Sequence, residues 1–244
     1  MLRVEHVMGM PVIADVRDEE ADPRALDDLF AWLRWVDATF STYRDDSEIS
    51  RINRGELAVE DADPAVRVVL ARCEELRQET DGWFDMRAAS PDAIDPSGLV
   101  KGWSVERAAA ILDRAGMRNY ALNAGGDMVL RGRAKPDWVW RVGIQHPRER
   151  DAVAHVIETR NLAVATSGEY ERDRHILDPR TGAPAGEGLL SVTIAGPDLG
   201  TADAYATAAF AMGVTRATHW VARLRGYKAM LILDDDRVLS TPGF

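Results

Sequence analysis

A single cysteine among 244 residues rules out an internal disulfide, and it leaves no cysteine cluster to hold zinc. Cys73 falls between Val69 and Leu76 on an apolar helical face, where a small buried hydrophobe is expected. Positive charge is also scarce. Thirty lysines and arginines stand against 40 acids, for a net charge of −10, and no basic cluster appears. Such a surface repels a phosphate backbone, which argues against DNA or RNA as a partner. It also sets a condition for any anionic ligand: a phosphate site here must bring its own local cation. No apolar run is long enough to span a bilayer, so no membrane insertion is expected. Met1 to Val7 has no basic region leading into an apolar stretch, from which we expect no signal peptide and a cytoplasmic protein.

What the chain does have is a globular composition, 46% hydrophobic and 29% charged, enough to bury a sizeable core. Asp22-Pro23 and Asp63-Pro64 each pair an N-cap acid with a first-turn proline. Behind them run the apolar stripes Leu26, Leu29, Phe30, Leu33, Val36 and Val66, Val69, Leu70, Cys73, Leu76. A third helix is expected after Gly102, with Val105, Ala108, Ala109 and Leu112 inward and Gly116 as its stop. Val4 to Val16 reads as a strand pair around Gly9. Short β-prone segments follow at 120–123, 128–130, 138–144, 153–157, 162–165 and 189–195. An alanine-rich helix is expected from Ala202 to Met212, another from Thr215 to Leu224, and a closing hairpin over 230–240. The reading is one domain over residues 1–244 of α+β class, with mixed, mainly antiparallel sheets and packed helices.

Several stretches carry possible chemistry. Asp203 and Thr207 are four apart in an expected helix, which puts a carboxylate and a hydroxyl on one face. Two hard oxygens suit Mg²⁺, which is usually completed by water and substrate phosphates. Taken alone, the same residues are better explained by a helix-dipole acid and a threonine bonded back to its own helix. Asp95-Pro96-Ser97-Gly98-Leu99-Val100-Lys101-Gly102 runs a glycine-bearing loop into a helix start, an arrangement suited to phosphate, although it is not a Walker A loop. Asn123-Ala124-Gly125-Gly126-Asp127 reads as a tight hairpin whose glycines allow close backbone approach. Thr166 to Tyr170 and His175 to Gly182 are dense in polar turn residues, and a lone histidine such as His175 is more often structural than catalytic.

Taken in order, these pieces resemble the ApbE-like FAD:protein FMN transferases. The resemblance runs through Met8-Gly9, Phe40 to Arg44 with Ser47 to Asn53, and Thr80 to Asp85. It continues through Asp95 to Gly102, Asn123 to Asp127, Thr166 to Tyr170, His175 to Gly182 and Ala202 to Thr207. It implies Mg²⁺-dependent transfer of FMN from FAD to a threonine or serine hydroxyl in a motif of a target flavoprotein, with release of AMP. Position by position it implies Asp203 and Thr207 as side-chain metal ligands, with backbone carbonyls of Gly98 and Ala206. It places Met8, Tyr43, Phe84-Asp85-Met86 (as a strand), Asp95, Lys101 and Leu177 at flavin-contact positions. His175 is the candidate general base. The chain departs from the pattern in a short Asp85–Asp95 stretch, in Met86 to Ala89, in Met10 for a common threonine, and in Gly98 for a common alanine. Two other readings use the same residues: an FAD pyrophosphatase releasing FMN and AMP, and a non-catalytic flavin-binding protein, against which the retention of both Asp203 and Thr207 argues. Asp203 is expected to lie outside the core.

Overall fold

The computed structural model describes residues 1–149, 151–168 and 176–244. Its centre is an eight-stranded sheet in the order β1-β2-β3-β4-β7-β8-β9-β10. The strands are β1 (Leu2–Val7), β2 (Met10–Val16), β3 (Tyr120–Ala124), β4 (Asp127–Arg131), β7 (Leu162–Gly168), β8 (Leu189–Gly196), β9 (Lys228–Leu233) and β10 (Val238–Ser240). Every neighbouring pair is antiparallel. The remaining strands, β5 (Trp140–Gln145) and β6 (Val153–Thr159), form a separate hairpin.

Side-chain alternation divides this sheet between two cores. Tyr120, Leu122, Val129, Ala163, Ala165, Val192, Ile194, Ala229 and Leu231 face the helices. Ala121, Leu130, Val164, Ala195, Met230 and Ile232 face the hairpin, where Trp140, Val142 and Ile144 cover them. A period of two sends neighbours to opposite faces, so β3, β4, β7, β8 and β9 each feed both layers. The α+β, antiparallel class read from the sequence is therefore the observed one.

The helices are α1 (Pro23–Phe40), α2 (Glu48–Asn53), α3 (Pro64–Glu79), α4 (Ser97–Arg114), α5 (Leu199–Ala211) and α6 (Gly213–Val221). Asp22 and Asp63 cap α1 and α3 as their sequences predict, accepting from the N–H groups of Arg24 and Ala65. Cys73 is buried on the inner face of α3. Three features differ from expectation. Six-residue α2 is too short for a periodic signal; Ser47 caps it by accepting the Ser50 N–H at 3.0 Å. Phe84-Asp85-Met86 is not a strand but part of an irregular loop of bends and turns, closed by the Asp95 N–H donating to the Met86 carbonyl at 2.7 Å. Paired bonds between the Asn53 amide and the Ile94 backbone, 2.8 and 2.9 Å, pin the same loop.

The third difference matters most for the site. The helix expected after Gly102 begins at Ser97, so Gly102 lies inside α4. Ten of the thirteen residues of α5 are buried, and α5 packs on α4, β7 and β8. A helix enclosed on nearly every side needs small residues, which explains its alanines. Gly102 gives α4 the same clearance. A Cβ there would stand 2.5 Å from the Leu199 carbonyl oxygen and 2.9 Å from Asp203 Cβ. Gly102→Ala should therefore overpack the contact by roughly 1–3 kcal/mol and lower Tm by about 3–10 °C. Gly98→Ala meets the Phe84 ring edge at 3.2 Å and Thr207 at an ordinary 3.7 Å, and should change Tm far less. Thermal melts of the two variants side by side check this, and equal Tm values would mean that α4 and α5 do not touch at Gly102.

Among the described residues, no helix is long and apolar enough to cross a membrane.

Candidate active site

Two hairpin tips lie at one end of the sheet. Met8 and Gly9 turn β1 into β2 with φ of 55° and 73°; Gly125 and Gly126 turn β3 into β4 with φ of 58° and 97°. Two successive positive φ values are the signature of the tight turn that matches strand twist. The tips are neighbours: the Gly125 N–H reaches the Pro11 carbonyl at 3.4 Å, and a Cβ on Gly125 would meet Met10 Sδ at 3.0 Å. Met8 itself receives the Ser104 hydroxyl on its sulfur at 3.7 Å, tying the turn to α4.

Asp127 follows this second turn. Its position alternates with Val129, so it points into the helix-facing core and is fully buried. Oδ1 accepts the Thr166 N–H at 3.0 Å. Oδ2 lies 2.8 Å from Lys101 Nζ, an ion pair without hydrogen-bond geometry, and has no hydrogen-bond partner among the described residues. Ser167, one residue further along β7, faces the same side, with its Oγ 3.4 Å from Thr207 Oγ1.

Asp203 completes the cluster from α5. The structure overturns the expectation that it lies outside the core: it is 2% exposed. Its Oδ2 accepts the Gly102 N–H at 3.0 Å, and Oδ1 lies 3.6 Å from Lys101 Nζ. Burial raises the Asp203 carboxyl to about 7; Lys101 opposes this, Asp127 adds to it and the Gly102 N–H opposes it. The in-helix acceptor of the Gly102 N–H is the Gly98 carbonyl four residues back, so Asp203 draws on a donor that the helix would offer Gly98. Gly98 is close by, since a Cβ there would lie 3.8 Å from Thr207 Oγ1.

The structure thus brings Gly98, Lys101, Asp203 and Thr207 together, with Phe84 buried against Gly98. Lys101 is in the second turn of α4. Asp95 is exposed and precedes Pro96, the cap of α4; its Oδ1 accepts the Ser97 N–H at 2.9 Å. Asp85 and Met86 are half-buried, and Leu177 is half-buried beside Pro184. Tyr43 is 91% exposed on its loop, and Ala206 is buried within α5; no described contact joins either to the cluster. His175 and the segment from Glu169 lie outside the described residues.

Sequence reasoning missed Asp127 and Ser167 as individual site residues. The available signal was parity: both are polar residues at positions that alternation assigns to the core. A buried carboxylate requires a paired cation or ligand. Among the described residues no three His, Cys, Asp or Glu side chains group as a metal site. Any cation here must draw on carbonyl, hydroxyl and substrate oxygens as well as carboxylate. The buried Asp203 carboxylate and the Thr207 hydroxyl one helical turn away are hard oxygens that fit a hard divalent ion of the Mg²⁺ type.

Comparison with known proteins agrees with this architecture. The chain is similar to the FAD:protein FMN transferase of Vibrio cholerae serotype O1, 36% identical over 132 residues, covering 50% of this chain and 40% of that protein. It is 34% identical over 195 residues to the one from Rhodobacter capsulatus, covering 74% of this chain and 36% of that protein. The matched segments thus span less than half the length of these curated relatives. Among solved structures, the flavin transferase ApbE from Vibrio cholerae superposes with a TM-score of 0.88 at 25% identity, covering 100% of this chain and 97% of that one. The ApbE protein of Thermotoga maritima shares the fold, with a TM-score of 0.90 at 24% identity and 99% and 97% coverage. The model of the ApbE family matches residues 8–92 and 87–231, and the chain belongs to that family.

Proposed function

We propose that this chain, acting as one transferase domain, moves FMN from FAD onto a threonine or serine hydroxyl of a target flavoprotein and releases AMP. The observation that carries the reading is the buried Asp203, one helical turn from Thr207 and beside Lys101. Asp203 Oδ1, Thr207 Oγ1 and the Gly98 carbonyl, with Ala206 as a further backbone candidate, would hold Mg²⁺. Bound there, the ion would neutralise the diphosphate and stabilise charge on the leaving phosphate. Asp203 supports this twice, since accepting the Gly102 N–H favours a Gly98 carbonyl free to face the ion.

The remaining steps belong to the chain's own groups. Lys101 supplies the fixed positive charge that an acidic protein needs at a diphosphate. Met8, Tyr43, Phe84, Asp85, Met86, Asp95 and Leu177 would line the flavin. The acceptor oxygen forms a bond to the FMN phosphorus as the bridging oxygen leaves with AMP. The hydroxyl proton passes to a base, for which His175 is the candidate. His175→Ala should lower single-turnover transfer by about 10²-fold, within the usual range for general-base assistance, and leave FAD affinity nearly unchanged. A normal rate, or a rate loss matched by lost FAD binding, would end that assignment.

The function is tested by mixing the protein with FAD, Mg²⁺ and candidate acceptors. The expected result is an acceptor heavier by one FMN and one AMP released per transfer. Steady AMP release without any acceptor would favour the pyrophosphatase reading, and retained FAD with no AMP the binding protein.

A further inference from the structure

Lys101 stands between two buried carboxylates, 2.8 Å from Asp127 Oδ2 and 3.6 Å from Asp203 Oδ1. One ammonium cannot serve both equally, and at these distances it favours Asp127. Each acid is independently anchored: Asp127 by the Thr166 N–H of β7, Asp203 by the Gly102 N–H of α4. Neither can rotate away without losing a buried backbone bond. The flexible partner is the lysine, whose four-carbon stem lets the ammonium cross from one carboxylate to the other by a shift of about an ångström. If it did, it would neutralise the very oxygen that a divalent cation needs.

We propose that Asp127 is a positioning residue that holds the Lys101 ammonium off Asp203 and so keeps the Asp203 carboxylate open to the metal. The inference rests on the metal reading of the proposed function, and it assigns Asp127 a task other than ligation. The lysine thereby remains beside the site as a fixed charge for the diphosphate without competing for the ion's anionic ligand. Strand parity explains why the task falls to β4, because position 127 faces α4 and α5 across the sheet's helix-side core.

The test is a double-mutant cycle on Mn²⁺ affinity, read by electron paramagnetic resonance in the absence of FAD. Asp127→Asn keeps an oxygen for the Thr166 N–H and loses the charge that holds Lys101. It should weaken Mn²⁺ binding about tenfold or more, in the range found when groups orienting metal ligands are lost. In a Lys101→Met background the same change should cost little, because no ammonium remains to fall onto Asp203. Equal losses in both backgrounds would show Asp127 acting through its own charge or as a ligand, and would overturn the proposal, as would an unchanged affinity in the single variant. Should the asparagine variant not fold, Asp127→Ser takes its place in both backgrounds. Failure of the parent protein to bind Mn²⁺ would sink the metal reading instead. The crystal structure of metal-free Asp127→Asn then decides: Lys101 in direct contact with Asp203 supports the pairing, and Lys101 still about as far away as in the parent refutes it.

Discussion

Replacing Asp203 with asparagine is expected to lower FMN transfer at limiting Mg²⁺ by at least about 10³-fold, because a bound metal contributes several kcal/mol of transition-state charge stabilisation. Asparagine suits this test better than alanine. Asp203 is buried and accepts the Gly102 N–H, so alanine would strand a buried donor between α4 and α5 as well as remove the charge. The amide retains an oxygen for that donor, and Lys101 retains Asp127. Stability should move the other way. In the metal-free protein, burial raises the Asp203 carboxyl from 3.8 to about 7. A raised carboxyl means that the folded state holds the proton more tightly than the unfolded one. Parent stability therefore falls as pH rises from about 4 to about 7 and carries the full penalty above that. The substituted amide never ionises, so in EDTA at pH 8 the variant should exceed the parent by roughly 2–4 kcal/mol, with the difference fading toward pH 4. Denaturant melts at the two pH values measure this. Normal transfer at limiting Mg²⁺ would remove Asp203 from the metal site, and a less stable variant at pH 8 would mean that the carboxylate is not a net cost in the empty site.

FAD, and not FMN, is expected to label the acceptor, with no detectable transfer from FMN alone. Forming a phosphoester from a phosphate monoester and a hydroxyl requires expelling hydroxide or water from phosphorus, whereas the diphosphate of FAD offers AMP as a stabilised leaving group. The proposed site suits the larger charge: Lys101 Nζ lies 3.6 Å from Asp203 Oδ1, and Gly98 packs near Thr207, within an otherwise acidic chain. Parallel incubations with FAD and FMN, followed by intact mass measurement of the acceptor, decide it. Efficient labelling from FMN would overturn the diphosphate mechanism and with it the role given to the metal.

Much of this was legible in the chain alone, where the governing physics is local. Asp-Pro caps, the apolar stripes of α1 and α3 and the short β-prone segments of β3, β4 and β8 each depend on residues a few positions apart, and they specified helices, strands and the antiparallel class. The order of motifs carried the family. Asp203 and Thr207 were readable as a pair because a helix places i and i+4 on one face.

What the tertiary structure alone decided is everything that depends on two distant segments meeting. The start of α4 at Ser97 was hidden by Gly98 and Gly102, which weaken local helical preference. Gly102 is needed there because α5 passes within a Cβ's reach, a fact held by Leu199 and Asp203 far along the chain. The burial of Asp203, the position of Lys101 between Asp127 and Asp203, and the approach of Ser167 to Thr207 follow from the same packing. The chain by itself determined which elements form and which oxygens are available. Packing of α5 against the sheet and α4 determined which of those oxygens share one low-dielectric point, because charge interactions grow strong only where distant segments close together and exclude water.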